Sequence, residues 1–175
     1  AFLAPGPLAA KLYVSSTTND CDLFVTMQAH SPKGREVFFQ GTVDPKTPLA
    51  QGWLRVSHRK LNTKLSKPWR PFHTHDDKQL LTPGKIYEVD IEIWPQCIVL
   101  PKGFTIALNI SGQDFDRPGP SVQAYSESRG SGPFLHDHPL DRPKDVFGGK
   151  TTIYTGPKYS SYLLVPVIPK RRRKM

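Results

Sequence analysis

Apolar and polar residues alternate with a period of two in several short stretches of the chain. In IYEVDIEIW, residues 86–94, the apolar Tyr87, Val89, Ile91 and Ile93 alternate with three carboxylates. In an extended strand, a period of two places one set of side chains on each face. This segment is therefore predicted to be a strand with one apolar face and one acidic face.

The same alternation recurs along the chain and predicts about eight short strands. Turn signals rich in proline and glycine separate them, and no window shows a sustained helical period. The predicted strands cover residues 8–14, 23–27, 37–39, 53–56, 86–94, 104–110, 151–154 and 162–165. We predict an all-β fold, a jelly-roll β-sandwich of the galactose-binding-domain-like kind, with two long loops at about 58–84 and 112–148.

The composition is that of one folded domain. With 175 residues, of which 37% are hydrophobic, the chain is long enough to bury a core. Its 18 prolines and 13 glycines favour a loop-rich β protein over a helical one. We predict a single domain over residues 1–169, followed by a basic tail over 170–175. No apolar run reaches about 18 residues, so no membrane partner is expected.

The net charge of +9 suggests a nucleic-acid partner until its distribution is considered. The tail sequence KRRRK, residues 170–174, carries five of these charges, and the other basic residues are scattered among acids. A groove that binds nucleic-acid strands needs a basic stripe with interleaved aromatic side chains. We therefore predict no nucleic-acid partner. The tail is interpreted as a solvated terminus, with a nuclear import signal or an anchor to an anionic surface as the alternatives.

Two histidine pairs lie in the predicted long loops. HTHDD contains His73 and His75, and HDH contains His136 and His138. If the two loops met, four imidazoles could cluster, but neighbouring prolines indicate turns, where such side chains bond the loop backbone. We predict loop chemistry or a contribution to a binding or domain interface at these four positions. No metal site and no cofactor is predicted.

No stretch of the chain has the features of a serine nucleophile. A GxSxG elbow needs both glycines and a following helix, whereas GPSVQ at 119–123 and SESRG at 126–130 each lack one glycine. The carboxylates of Glu88, Asp90 and Glu92 share one strand face instead of facing each other across a cleft, as glycoside chemistry requires. We assign no catalytic residue and interpret the acidic face as solvated or interdomain.

Several stretches, in this order, resemble the C-terminal domain of the X-Pro dipeptidyl-peptidase and cocaine esterase (CocE/NonD) family of serine hydrolases. They are GPLAAKLYVSS, DCDLFVTMQAHSPKGR, LTPGKIYEVDIEIWPQCIVLPKGFTIALNISGQDF and GPKYSSYLLVPVIP. The resemblance covers essentially the whole chain, and its motifs are loose individually but specific in combination. One departure is YSS at 159–161, where many relatives have HPS.

The resemblance implies a division of labour within a longer protein. In such hydrolases an α/β-hydrolase domain carries the Ser, Asp and His triad, a helical cap covers it, and the C-terminal jelly roll packs against both. No triad position has a counterpart in this sequence, so the resemblance implies an accessory domain that is inactive alone. Its expected partner is the catalytic domain of the same parent chain, whose reaction would be hydrolysis of an ester, an amide or an X-Pro bond.

Three hypotheses therefore make different structural predictions. An accessory domain should expose an apolar patch for docking, with candidates Trp53, Trp69, Phe72 and Trp94. A free-standing carbohydrate-binding module needs solvent-facing aromatics in a groove, and a small independent enzyme needs the four loop histidines to converge. A homo-oligomer is left open.

The N-terminal sequence AFLAPGPLAA has neither an initiating Met nor a basic leader. The chain is accordingly expected to be a piece of a longer protein. Its compartment is left open, with the cytoplasm slightly favoured.

Overall fold

A computed structural model describes residues 2–39, 47–115 and 136–168 of the chain. Each predicted strand region contains a strand, which confirms the all-β prediction. The strands are β1 (Phe2–Ser16), β2 (Asp22–His30), β3 (Glu36–Val37), β4 (Ala50–Arg55), β5 (Tyr87–Leu100), β6 (Thr105–Ser111), β7 (Thr151–Tyr154) and β8 (Tyr162–Leu164). The described helical residues form a 3₁₀ turn at Val56–His58 and the single-turn helix α1 at Lys144–Phe147.

The strands form two antiparallel sheets. In the first sheet, β1 is central, with β5 on one side and β7 and β8 on the other. In the second sheet, β2 is central, with β6 on one side and β3 and β4 on the other. β4 and β5 are therefore both lateral strands, one in each sheet.

The two sheets share one hydrophobic core, built from the alternate side chains that the period of two assigns to the inner faces. Most of its members have less than 5% of their surface exposed; they include Leu8, Leu12 and Val14 of β1, Leu23, Val25 and Met27 of β2, Leu54 of β4, and Val89, Ile91 and Ile93 of β5. Full burial of such a side chain stabilises the fold by about 1.5–3 kcal/mol. This core holds together the strands that the loops connect. The jelly-roll connectivity itself stays a prediction.

A β-bulge in β5 changes which residues face the core. The pairing register shifts between Gly6 and Leu8 of β1, so that Pro7 lies opposite both Trp94 and Pro95. The extra residue reverses the alternation: Ile93 is fully buried before the bulge, and Gln96 is buried after it. β5 therefore continues to Leu100, beyond the predicted end at residue 94, and a proline is tolerated because β5 lies at the edge of its sheet.

β4 and β5 approach each other closely at the seam between the sheets. A Cβ atom at position 52 would lie 2.2 Å from the carbonyl oxygen of Glu92, so only glycine fits there. Because Gly52 brings the two backbones together, the outward-facing neighbours Trp53 of β4 and Trp94 of β5 also meet, with ring centroids 5.0 Å apart.

The predicted end of β4 differs from the structure, and several predicted features lie outside the described residues. Val56, predicted to end a strand, instead begins the 3₁₀ turn. Its backbone N–H still donates a hydrogen bond to the carbonyl of Cys21. GPSVQ, SESRG, the KRRRK tail and the boundary at 169/170 lie outside the described residues. Over the ranges that the structure describes, no helix is long and apolar enough to cross a membrane.

Candidate functional site: a cleft at the seam between the sheets

A cleft with a volume of about 440 Å³ opens along the seam between β4 and β5. The outward-facing side chains of β2, β4 and β5 form its floor, and residues of both long loops form its walls. Its lining comprises Asp22, Leu23, Phe24, Trp53, Leu54, Arg55, His58, His73, His75, Glu92, Trp94, His136 and Asp141. The fold therefore brings the two histidine-bearing loops to one place.

A network of four charged side chains holds one wall of the cleft. Arg55 donates hydrogen bonds to Asp22 at 2.8 Å and to Asp141 at 2.8 Å. Arg142 Nε lies 2.9 Å from the other oxygen of Asp22, whose side chain is only 6% exposed. The bonds to Asp22 first, and then those to Asp141, raise the pKa of the Arg55 guanidinium, and Arg55 lowers the pKa of Asp141. Two carboxylates and two guanidinium groups thus balance each other's charge.

Aromatic rings pack against the same guanidinium groups. Arg55 lies 4.4 Å from the ring centroid of Phe147, and Arg142 lies 5.3 Å from that of Phe24. Phe24 points away from the core, yet only 5% of its surface is exposed. The segment that follows residue 136 therefore covers the outer face of the second sheet, and cation–π contacts add to the ion pairs that hold it.

A nearly buried carboxylate, Asp114, fixes the orientation of two cleft residues. It accepts a hydrogen bond from the Trp53 indole N–H at 3.2 Å, and one from the backbone N–H of His136. The His136 ring nitrogen Nδ1 lies 3.1 Å from the same carboxylate. As a result the ring of Trp53 on the floor and the ring of His136 on the wall lie 6.2 Å apart.

Three imidazoles from the 58–84 loop form the opposite wall. The Nδ1 atoms of His58 and His75 are 3.3 Å apart, and the rings of His73 and His75 are 6.0 Å apart. His75 has φ 54°, a left-handed conformation that few residues other than glycine adopt. A hydrogen bond between two Nδ1 atoms needs one nitrogen that carries a hydrogen and one that has a free lone pair.

His73 is the imidazole of this wall that is enclosed by the loop. Burial lowers its pKa, and the neighbouring His75 lowers it further. Its Nε2 atom is buried and has no hydrogen-bond partner within the described part of the chain. His73 is therefore a neutral side chain at physiological pH.

The structure separates the four predicted histidines. His73, His75 and His136 line the cleft, whereas His138 is exposed and accepts a bond from the backbone N–H of Leu140 outside it. His58 also lines the cleft and was missed, because it stands alone at the end of a strand pattern. Among the described residues, no group of three His, Cys, Asp or Glu side chains is arranged to hold a metal ion.

The described lining also has no nucleophile for acyl transfer. It contains no serine, threonine or cysteine that the imidazoles could activate. The cleft combines aromatic side chains and carboxylates on the strands with imidazole nitrogens on the loops. A concave surface that combines apolar and polar side chains in this way can bind a ligand or a side chain of another domain.

A second, more apolar groove lies beside β1 and β8. Pro7, Trp69, Leu164, Val165 and Pro166 line its volume of about 330 Å³. Of the four aromatic residues predicted for docking, Trp94 is 62% exposed, Trp69 49% and Phe72 42%, whereas Trp53 is half-buried.

These features match a known class of domain. The sequence profile of the X-Pro dipeptidyl-peptidase C-terminal non-catalytic domain matches residues 5–164. The chain belongs to this family.

The chain is also similar to parts of longer proteins. A crystal structure of a CocE/NonD family hydrolase from Staphylococcus aureus superposes with a TM-score of 0.82, at 28% identity over 96% of this chain. A second crystal structure of a CocE/NonD family hydrolase from that organism gives 0.78, at 29% identity over 95%. Cocaine esterase from a Rhodococcus species is 22% identical over 165 residues, or 94% of this chain.

The chain spans only part of these proteins. It covers 28% of each Staphylococcus chain and 23% of cocaine esterase. Other curated relatives are matched over 19% of their length. The similarity therefore concerns one domain of each of them.

Proposed function

We propose that this chain is the accessory C-terminal domain of a serine hydrolase, and that it docks onto the catalytic part of its parent chain. The parent reaction would be hydrolysis of an ester or amide, with an X-Pro peptide bond as one substrate class. Membership of a non-catalytic family supports the accessory role. The names of the similar proteins, hydrolases and an esterase, support the reaction class.

The observation that carries the proposal is the exposure of large aromatic side chains beside rigid strands. Trp94 and Trp69 present about half or more of their surface to solvent, in or beside two concave sites. Isolated apolar side chains are common on protein surfaces, but those grouped in concave sites mark interaction surfaces. Catalytic and cap domains packed on these faces would remove this apolar surface from water, at about 25 cal/mol per Å².

Reaction with a fluorophosphonate probe tests the division of labour, because the probe labels only a serine that is activated as a nucleophile. We expect no mass gain for the 175-residue chain, and one label on the parent chain at a serine outside this segment. Peptide mapping locates the label. Stoichiometric labelling of Ser121, Ser128 or any other serine of this chain would overturn the proposal.

A further inference from the structure

The cleft at the seam retains one carboxylate without a counterion. Asp22 and Asp141 are matched by Arg55 and Arg142, as described above. Glu92 lies on the floor of the cleft, half-buried, and makes no hydrogen bond or ion pair within the described residues. Although the whole chain is strongly basic, this cleft has an excess negative charge.

Glu92 stands beside the most exposed indole of the chain. Glu92 and Trp94 are two residues apart on the same face of β5, so their Cβ atoms lie about 6.6 Å apart along the strand. Trp53 contacts one part of the Trp94 ring, and 62% of Trp94 remains exposed. The bulge at Trp94–Pro95 and the backbone contact at Gly52 fix this pair in place.

We propose that Glu92 and Trp94 form a binding site for an arginine side chain that the catalytic part of the parent chain presents. This inference rests on the proposed function, and it names the chemistry of the docking contact. The guanidinium would pair with the Glu92 carboxylate and stack on the open face of the Trp94 indole. Its aliphatic stem would cover the apolar surface between them.

Arginine suits this site better than lysine. A planar guanidinium can bond both oxygens of a carboxylate and stack on an aromatic ring at the same time, whereas an ammonium acts as a point charge. The same arrangement already occurs within the chain. Arg55 bonds the carboxylates of Asp22 and Asp141 while it lies over the ring of Phe147.

Two short peptides test the recognition on the 175-residue chain itself. Acetyl-Leu-Arg-Leu-amide carries the guanidinium, and the same peptide with citrulline has nearly the same shape without the charge. We expect the arginine peptide to change tryptophan fluorescence saturably and to bind about tenfold more tightly than the citrulline peptide, with less preference at high salt. Equal binding of the two peptides, or binding of neither, would overturn the proposal.

Variants assign the preference to the two residues. Glu92→Gln should abolish the preference for arginine, whereas Glu88→Gln, on the same face of β5 but outside the cleft, should keep it. Trp94→Leu should weaken the arginine peptide by about tenfold, and Trp69→Leu, in the other groove, should not. Retention of the preference by Glu92→Gln would count against the site.

Measurements on the parent chain distinguish a failure of the arginine site from a failure of the proposed function. With Glu92→Gln we expect faster hydrogen exchange around Trp94, with fluorophosphonate labelling still at a serine outside this segment. Labelling as expected with unchanged exchange would reject the arginine site alone, and labelling within this chain would reject the proposed function.

The basic tail of this chain is the alternative occupant of the site. If a chain ending at residue 168 bound the arginine peptide more than tenfold more tightly, the tail would be the occupant and the catalytic part would not.

Discussion

His73 shows how burial determines the chemistry of a single residue in this domain. Its buried Nε2 atom has no partner among the described residues, and the rings of His75 and His58 lie nearby. Each of these features disfavours the imidazolium form. The spacing of HTHDD alone could not predict this state, because it depends on how closely the loop folds over β5.

The pH dependence of stability follows from the lowered pKa of His73. In the unfolded chain this imidazole takes up a proton at its ordinary pKa, about 6.5, whereas in the folded chain it does so only at lower pH. The unfolded state therefore binds more protons as the pH falls, and stability present above the unfolded pKa is lost as the pH falls through the folded pKa.

Urea denaturation measures the free energy of unfolding at each pH. We expect this free energy to fall less between about pH 7 and about pH 5 in His73→Gln than in the wild-type chain. His138→Gln serves as the control because that side chain is exposed outside the cleft. If both variants kept the wild-type slope, His73 would not be the group responsible.

At the scale of elements, the strands could be predicted from the sequence, and the cleft could not. A period of two is a local signal, so all eight strand regions were found from their own residues. The bulge at Trp94–Pro95 and the contact of Gly52 with Glu92 depend on partners far away in the chain. His58 was missed for the same reason, since only the fold brings it to His75.

Arg55 is the residue that connects β4 to the segment covering its sheet. Because it bonds both the nearly buried Asp22 and Asp141, its loss should loosen that segment, which would then be tied to Asp22 only through Arg142. We expect Arg55→Gln to cost about 1–2 kcal/mol of unfolding free energy, less than a fully buried pair would because Arg55 is partly exposed.

Hydrogen exchange of residues 136–147 should also become faster in Arg55→Gln. Arg35→Gln, which changes an exposed arginine in the turn after β2, should leave both quantities unchanged. Unaltered exchange in Arg55→Gln would show that the other contacts of the segment, such as the Arg142–Asp22 pair, hold it without Arg55.

At the scale of the whole molecule, the exposed aromatic residues mark faces that the rest of a longer protein could cover. The chain corresponds to about a quarter of the Staphylococcus and Rhodococcus proteins that it resembles. Both of its sheets contribute to one buried cluster within the described residues. The two exposed grooves lie on different sides of β1: one beside β5 and the other beside β8.

Quenching of tryptophan fluorescence by acrylamide can show which faces are covered in the parent chain. In single-tryptophan variants of the 175-residue chain, with the other two indoles changed to Phe, we expect quenching to decrease from Trp94 to Trp69 to the half-buried Trp53. In the parent chain, quenching of Trp94 and Trp69 should fall to about the level of Trp53, because docked domains exclude the quencher. If only one of the two became protected, docking would be confined to its groove; if neither did, the apolar surfaces of this domain would not be where the catalytic part binds.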